Sequence, residues 1–162
     1  VIVREGAFEI RQYKRLVLVS TATPEGVENA SDPFYKLFDY ISGKNANTEK
    51  IEMTAPVLMK QTSHGTEDMS FVLPADFSLM RAPNPTDPAV KLEELIDYRV
   101  AVINFSGSLT QSSISNHLAL LQNWIVDRGL TIKGSAKAAG YNPPFTLPFL
   151  RRNEIIISIE KT

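Results

Sequence analysis

The sequence predicts an α+β domain, a mixed barrel-like sheet made from two strand-rich halves with one helix on the outside of each. Two segments place apolar residues at helical spacing between start and stop signals, and six others are rich in β-branched and aromatic residues. A proline run near the midpoint divides them into halves of similar order, and a sheet is the surface broad enough to bury both helical stripes.

Taken in order, Phe8-Glu9-Ile10 and residues 16–21 read as strands. Ser31-Asp32-Pro33 then offers a capping side chain followed by a proline suited to the first helical turn. Phe34, Leu37, Phe38 and Ile41 recur at helical spacing and Gly43 stops the run, so the first helix is about ten residues long. Residues 51–59 and 69–73 are the next strands. The run Pro83-Asn84-Pro85-Thr86-Asp87-Pro88 fits neither a helix nor a central strand and reads as a hinge.

Residues 99–105 form the next strand, and a second helix spans 111–128. Thr110 caps it, Ile114, Leu118, Leu121 and Ile125 make its inner face, and Gly129 supplies a left-handed stop. Residues 154–159 close the chain as a strand. Tyr13-Lys14-Arg15-Leu16-Val17 leads to the first helix much as Tyr98-Arg99-Val100-Ala101-Val102 leads to the second. One domain over 1–162 is expected, with pseudo-repeat halves at about 1–82 and 89–162 joined by 83–88 and a cleft along the pseudo-twofold axis.

Composition bounds the function. In 162 residues, 43% hydrophobic side chains suffice for a core without staples, and 17 Lys+Arg against 18 Asp+Glu leave a net charge of −1. That balance gives no electrostatic reason for a nucleic-acid partner. No cysteine occurs, which excludes disulfides, thiolate nucleophiles and thiolate-bound metals or haem. No apolar run approaches the ~20 residues of a membrane span, so the chain reads as soluble. The compartment is not fixed by these features, with the cytoplasm favoured; the chain opens at Val1 rather than Met, so export or organelle targeting stays open if a leader has been removed.

Enzymatic and metal motifs are sparse. His64 lies in a polar loop and His117 near the apolar edge of the second helix, and two scattered histidines make a poor metal set. Glu93-Glu94 reads as a solvated pair. Glu52 and Glu154 sit among apolar strand residues, either outward or salt-bridged, and Arg151-Arg152 offers Glu154 a partner.

Phe34, Tyr35, Phe38, Met53, Met59, Phe145, Leu147 and Phe149 could wall a cleft, although core packing explains most such residues in a domain of this size. Packing does not explain Tyr141-Asn142-Pro143-Pro144-Phe145-Thr146-Leu147-Pro148-Phe149. Three prolines forbid regular pairing there, and the interleaved apolar groups suit the rim of a hydrophobic pocket.

That loop, preceded by Ala139-Gly140 and followed by Arg151-Arg152-Asn153-Glu154-Ile155, resembles the end of the SOUL haem-binding protein family. Lys50-Ile51-Glu52-Met53-Thr54-Ala55-Pro56-Val57 is similar to its central motif, Tyr40-Ile41-Ser42-Gly43 to the end of its first helix, and 83–88 to its proline linker. Phe8-Glu9-Ile10-Arg11-Gln12-Tyr13 matches as well. The resemblance implies a distorted β-barrel of two pseudosymmetric βαββ-type halves, akin to gyrase-inhibitor-like effector-binding domains.

It also implies non-enzymatic binding of haem, another tetrapyrrole or a similar flat hydrophobic molecule, as carrier or buffer. The implied groove is formed by Phe34, Leu37, Phe38 and Ile41 with Phe145 and Leu147, with no metal ligand and no catalytic residue. Ser31, Asp39 and Thr146 stand where animal members carry basic residues for the propionates, and no histidine precedes His64, so haem binding is expected to be weak and without an axial ligand unless Lys36 and Lys44 compensate. Two other readings stay open. The related fold hosts hydrolysis when a Tyr and a Glu face each other, for which Tyr141 with Glu154 or Glu52 are the candidates, and an exposed convex apolar patch would instead mark a protein-interaction module.

Overall fold

The structure, a computed structural model, describes residues 1–22, 31–62, 65–142 and 146–161. His64 and Phe145 lie outside the described residues, and of Ser31 only the backbone is described. The order is β1 (Val3–Glu5), β2 (Phe8–Ala22), α1 (Ser31–Ile41), β3 (Val57–Thr62), β4 (Gly65–Val72), β5 (Val90–Phe105), α2 (Gln111–Asp127), β6 (Ile132–Gly140), a 3-10 turn (Pro148–Leu150) and β7 (Asn153–Ile159).

The strands run β2-β4-β3-β6-β7-β5 around the sheet, and β2 also pairs with β5, which closes six of them into a barrel; β1 adds to the β2 edge. Every ladder is antiparallel, where the sequence left strand direction mixed. The long β2·β5 ladder runs from Phe8↔Ile103 to Thr21↔Val90, so the segments expected as separate short strands are two continuous ones.

Both long strands change the face they offer to the helices. Ile10, Ala101 and Ile103 pack in the cluster that holds Ile114, Leu121 and Ile125 of α2. Val17, Val19 and Val90 pack in the cluster that holds Leu37, Tyr40 and Ile41 of α1. Positions 10 and 17 differ by an odd number, so strict alternation cannot put both on the outside unless the strand switches faces between them. Asp97, at φ 52°, marks the switch on β5. The third cluster contains strand residues and Tyr141 but nothing from either helix, and it fills the barrel: Leu18, Leu58, Val100, Val102, Ala139 and Ile156, with Tyr13 and Tyr98 beside them.

Each helix is held by one buried stripe. Leu37 on α1 and Leu121 and Ile125 on α2 are essentially inaccessible, which is worth about 1.5–3 kcal/mol per side chain. Thr110 caps α2 by accepting the Ser113 amide at 3.1 Å. At the other end Gly129 takes φ +68°, and the Leu130 amide reaches back to the Ile125 carbonyl at 3.1 Å.

The proline run expected as a hinge is docked on the end of α1. The Tyr40 hydroxyl donates to the Pro83 carbonyl at 2.6 Å, and Asn45 bridges to Pro85 while its amide holds the Tyr40 and Glu49 carbonyls. No helix among the described residues is long and apolar enough to cross a membrane.

Candidate functional site

The α1 residues assigned to the groove divide between two surfaces. A helix turns about 100° per residue, so a stripe of four cannot serve the core and a ligand together. Leu37 and Ile41 face inward and belong to the core, which removes them from any ligand-contacting set. Phe34 is half-buried, edge-on to Phe71 with ring centroids 5.3 Å apart. It stacks outward on Phe38 at 6.1 Å and 13°, and meets Tyr35 at 85°. Phe38 and Tyr35 are 42% and 60% exposed, so Phe34, Tyr35 and Phe38 make an aromatic ledge anchored in the core at one end.

Leu147 is exposed, as are Phe149 and Leu150. Their segment is tied to the turn before α2, where the Gly107 amide donates to the Pro148 carbonyl at 2.8 Å, and to Arg151, whose Nε donates to the Thr146 carbonyl. Asp39, expected to repel an anionic ligand, pairs with Lys44 at 3.4 Å on the surface.

Inside the barrel the sequence hid a more organised group. Glu9, Arg11 and Tyr13 alternate on β2 and so share its inner face. Arg11 donates through Nη1 and Nη2 to both oxygens of Glu154 at 3.0 and 2.6 Å, and through Nε to Glu9 at 2.7 Å. Tyr141 donates to Glu154 at 2.7 Å and Arg152 adds a contact at 2.9 Å, while Arg4 reaches Glu9 at 3.1 Å. Glu154 is therefore inward and salt-bridged, and Glu52 is exposed.

Burial by itself would raise the Glu154 carboxyl, but the hydrogen bonds from Arg11, Tyr141 and Arg152 override it and hold the carboxyl below its ordinary range. Burial and then the Glu154 carboxylate push the Tyr141 phenol up. The pair is a fixed carboxylate and a neutral phenol that serves as its donor. The signal for this group was the charged and hydroxylic alternation Glu9, Arg11, Tyr13 opposite apolar Ile10; its partner across the barrel could not be read from β2 alone.

Beside this cluster lies an apolar cavity of about 180 Å³ lined by Tyr13, Leu16, Leu58, Tyr98, Tyr141 and Ile156 among others. His117 is stacked on Phe105 at 3.8 Å, and its Nδ1 donates to the Ser113 carbonyl at 2.7 Å. No cluster of metal-ligating side chains occurs among the described residues.

The SOUL heme-binding protein family model matches residues 1–158. The chain belongs to the SOUL haem-binding protein family. It is similar to heme-binding protein 2 of Mus musculus, 31% identical over 166 residues, and to heme-binding protein 2 of Homo sapiens, 30% identical over 165. Each comparison covers 96% of this chain and 79% of the relative. Among solved structures a hydrolase from Listeria innocua superposes with a TM-score of 0.69 over 94% of this chain and 91% of that one. At 10% identity that likeness shows the fold alone, an α+β barrel, and no activity.

Proposed function

We propose that this SOUL-family protein binds haem or another tetrapyrrole non-covalently, as a carrier or buffer, with the face of the macrocycle against the α1 ledge. The supporting observation is the ledge itself, three aromatic rings on one exposed helix face with Phe34 fixed from below by Phe71. An isolated helix has no cause to hold Tyr35 and Phe38 in water, and a flat apolar ligand would cover them. The interior cavity is an unsuitable alternative, since its 180 Å³ falls short of the ~300–1,000 Å³ of ordinary ligand pockets. The proposed surface groove thus uses Phe34 and Phe38, with Tyr35 added, while Phe145 of the expected groove lies outside the described residues. No axial protein ligand is required. Hemin and protoporphyrin IX titrations of the wild type and Phe38→Asp test this reading.

Hydrolysis by the Tyr141–Glu154 pair is the second reading, favoured by their 2.7 Å contact. The same geometry weakens it. A carboxylate that already accepts from Arg11, Arg152 and Tyr141, with its affinity for protons lowered, is a poor general base. Turnover of p-nitrophenyl acetate by the wild type that disappears in Glu154→Gln would revive it.

A further inference from the structure

Lys137 is an interior charge without an ion-pair partner among the described residues. It lies on β6 at the same alternation as Ala139 and Tyr141, and so points into the barrel, where it lines the 180 Å³ cavity. Among the described residues no carboxylate lies within ion-pair distance of its Nζ, which sits 5.4 Å from the centroid of the Tyr98 ring. Burial lowers its pKa. Glu93 and Asp68 oppose that shift from farther away, and Lys60, its cross-strand neighbour, reinforces it.

The Glu154 cluster beside the cavity offers no free carboxylate to a ligand, because Glu154 is satisfied by Arg11, Arg152 and Tyr141. An apolar chamber with one unpaired ammonium at its edge selects an organic anion over a cation. Size narrows the choice, since a cavity of about 150 Å³ is known to take benzene, and 180 Å³ leaves room for one ring and a short acidic arm. The Tyr98 hydroxyl, with no hydrogen bond among the described residues, lies on the same wall as a second donor. Burial keeps this phenol protonated, its pKa pushed up to about 12. Access is provided by a wider polar cleft of about 800 Å³ that shares Tyr98 and Lys137 with the inner cavity.

We propose that the barrel interior is a second binding site, separate from the α1 ledge, which takes a single-ring aryl carboxylate with its ring between Tyr13, Leu16 and Ile156 and its carboxylate on Lys137 Nζ. This site shares no residue with the tetrapyrrole ledge, so either assignment can fail without the other. The probe is 4-fluorophenylacetate, followed by fluorine NMR and calorimetry, with 4-fluorobenzylamine as the cation of similar size. The acid binds saturably at one site and the amine does not. Lys137→Met weakens the acid by about tenfold or more, as expected on losing a charge-assisted contact. Leu16→Trp, which fills the chamber from a half-buried position, removes binding, and Phe38→Asp leaves it unchanged. Circular dichroism confirms that each variant is folded; if Lys137→Met does not fold, the comparison of acid with amine and the Leu16→Trp variant decide. Equal binding of amine and acid, persistence of acid binding in a folded Lys137→Met or Leu16→Trp variant, or no binding of the acid to the wild type would overturn the assignment.

Discussion

Arg11 and Glu154, 143 positions apart in the chain, meet inside the barrel through two hydrogen bonds of 3.0 and 2.6 Å. Their contact ties β2, near the start of the chain, to β7 at its end. Glu154 is fully inaccessible and most of the Arg11 side chain is covered, so neither charge can be relieved by water if the other is removed. Glu154→Gln leaves Arg11 with Glu9 as its one carboxylate partner among the described residues and should cost about 3–5 kcal/mol of stability, read from urea unfolding at neutral pH. A loss below 1 kcal/mol would mean that water reaches the pair.

The same contact sets an acid limit. Because the folded Glu154 carboxyl lies below its unfolded value, near 4.3, its stabilisation is complete above that pH and disappears as pH falls toward the lowered folded value. The stability gap between wild type and Glu154→Gln should therefore be full at pH 7 and narrow progressively below about pH 4. A gap that stays constant down to pH 2 would contradict the ion pair.

Tyr40 gives the opposite sign at the alkaline end. Burial, and then the charge of Glu49, push its phenol up to about 12, and its hydroxyl is held by the Pro83 carbonyl. Its stabilisation is present below the unfolded value near 10 and is lost as pH rises from there through about 12. Tyr40→Phe should lose about 1–3 kcal/mol at pH 7 by orphaning the buried carbonyl, and it should lack the wild type's extra loss of stability between pH 10 and 12. Urea midpoints at pH 7 and pH 11 compare the two.

His117 tests the absence of an axial ligand. Its ring is stacked on Phe105 and its Nδ1 proton is committed to Ser113. His117→Ala should lose about 1 kcal/mol of stability from the ring pair while leaving hemin affinity and the Soret maximum unchanged. A Soret shift lost in that variant would assign iron to His117.

Legibility followed chemistry that is local in the chain. Both helices were readable because caps, stripes and glycine stops lie within one segment, as Thr110 and Gly129 do for α2. The strand β6 was not, since Lys133-Gly134-Ser135-Ala136-Lys137-Ala138-Ala139 is small and polar, and Ile132 at its start is its single β-branched residue. Its strand character comes from pairing with β3 and β7. The start of β5 was missed for a related reason, because Lys91-Leu92-Glu93-Glu94-Leu95 carries charge at positions that a long exposed ladder tolerates.

The site was legible in the same uneven way. Phe34 and Phe38 lie on the outward part of the stripe, but apolarity alone could not separate them from Leu37 and Ile41, which needed the position of the sheet. Glu154 could be matched to an arginine from its neighbours, and Arg152 does touch it. The stronger partner, Arg11, is brought by the closure of the barrel and has no signature near Glu154 in the chain.

The most direct test of the account is hemin titration of the wild type and Phe38→Asp, with protoporphyrin IX in parallel, followed by Soret absorbance and by quenching of Trp124, the single tryptophan. The account predicts saturable one-to-one binding of both compounds to the wild type and weakening of both by about tenfold or more in Phe38→Asp at unchanged secondary structure, the scale of losing an apolar face and gaining a carboxylate. Equal affinity in the two proteins, or no saturable binding of either compound to the wild type, would contradict it.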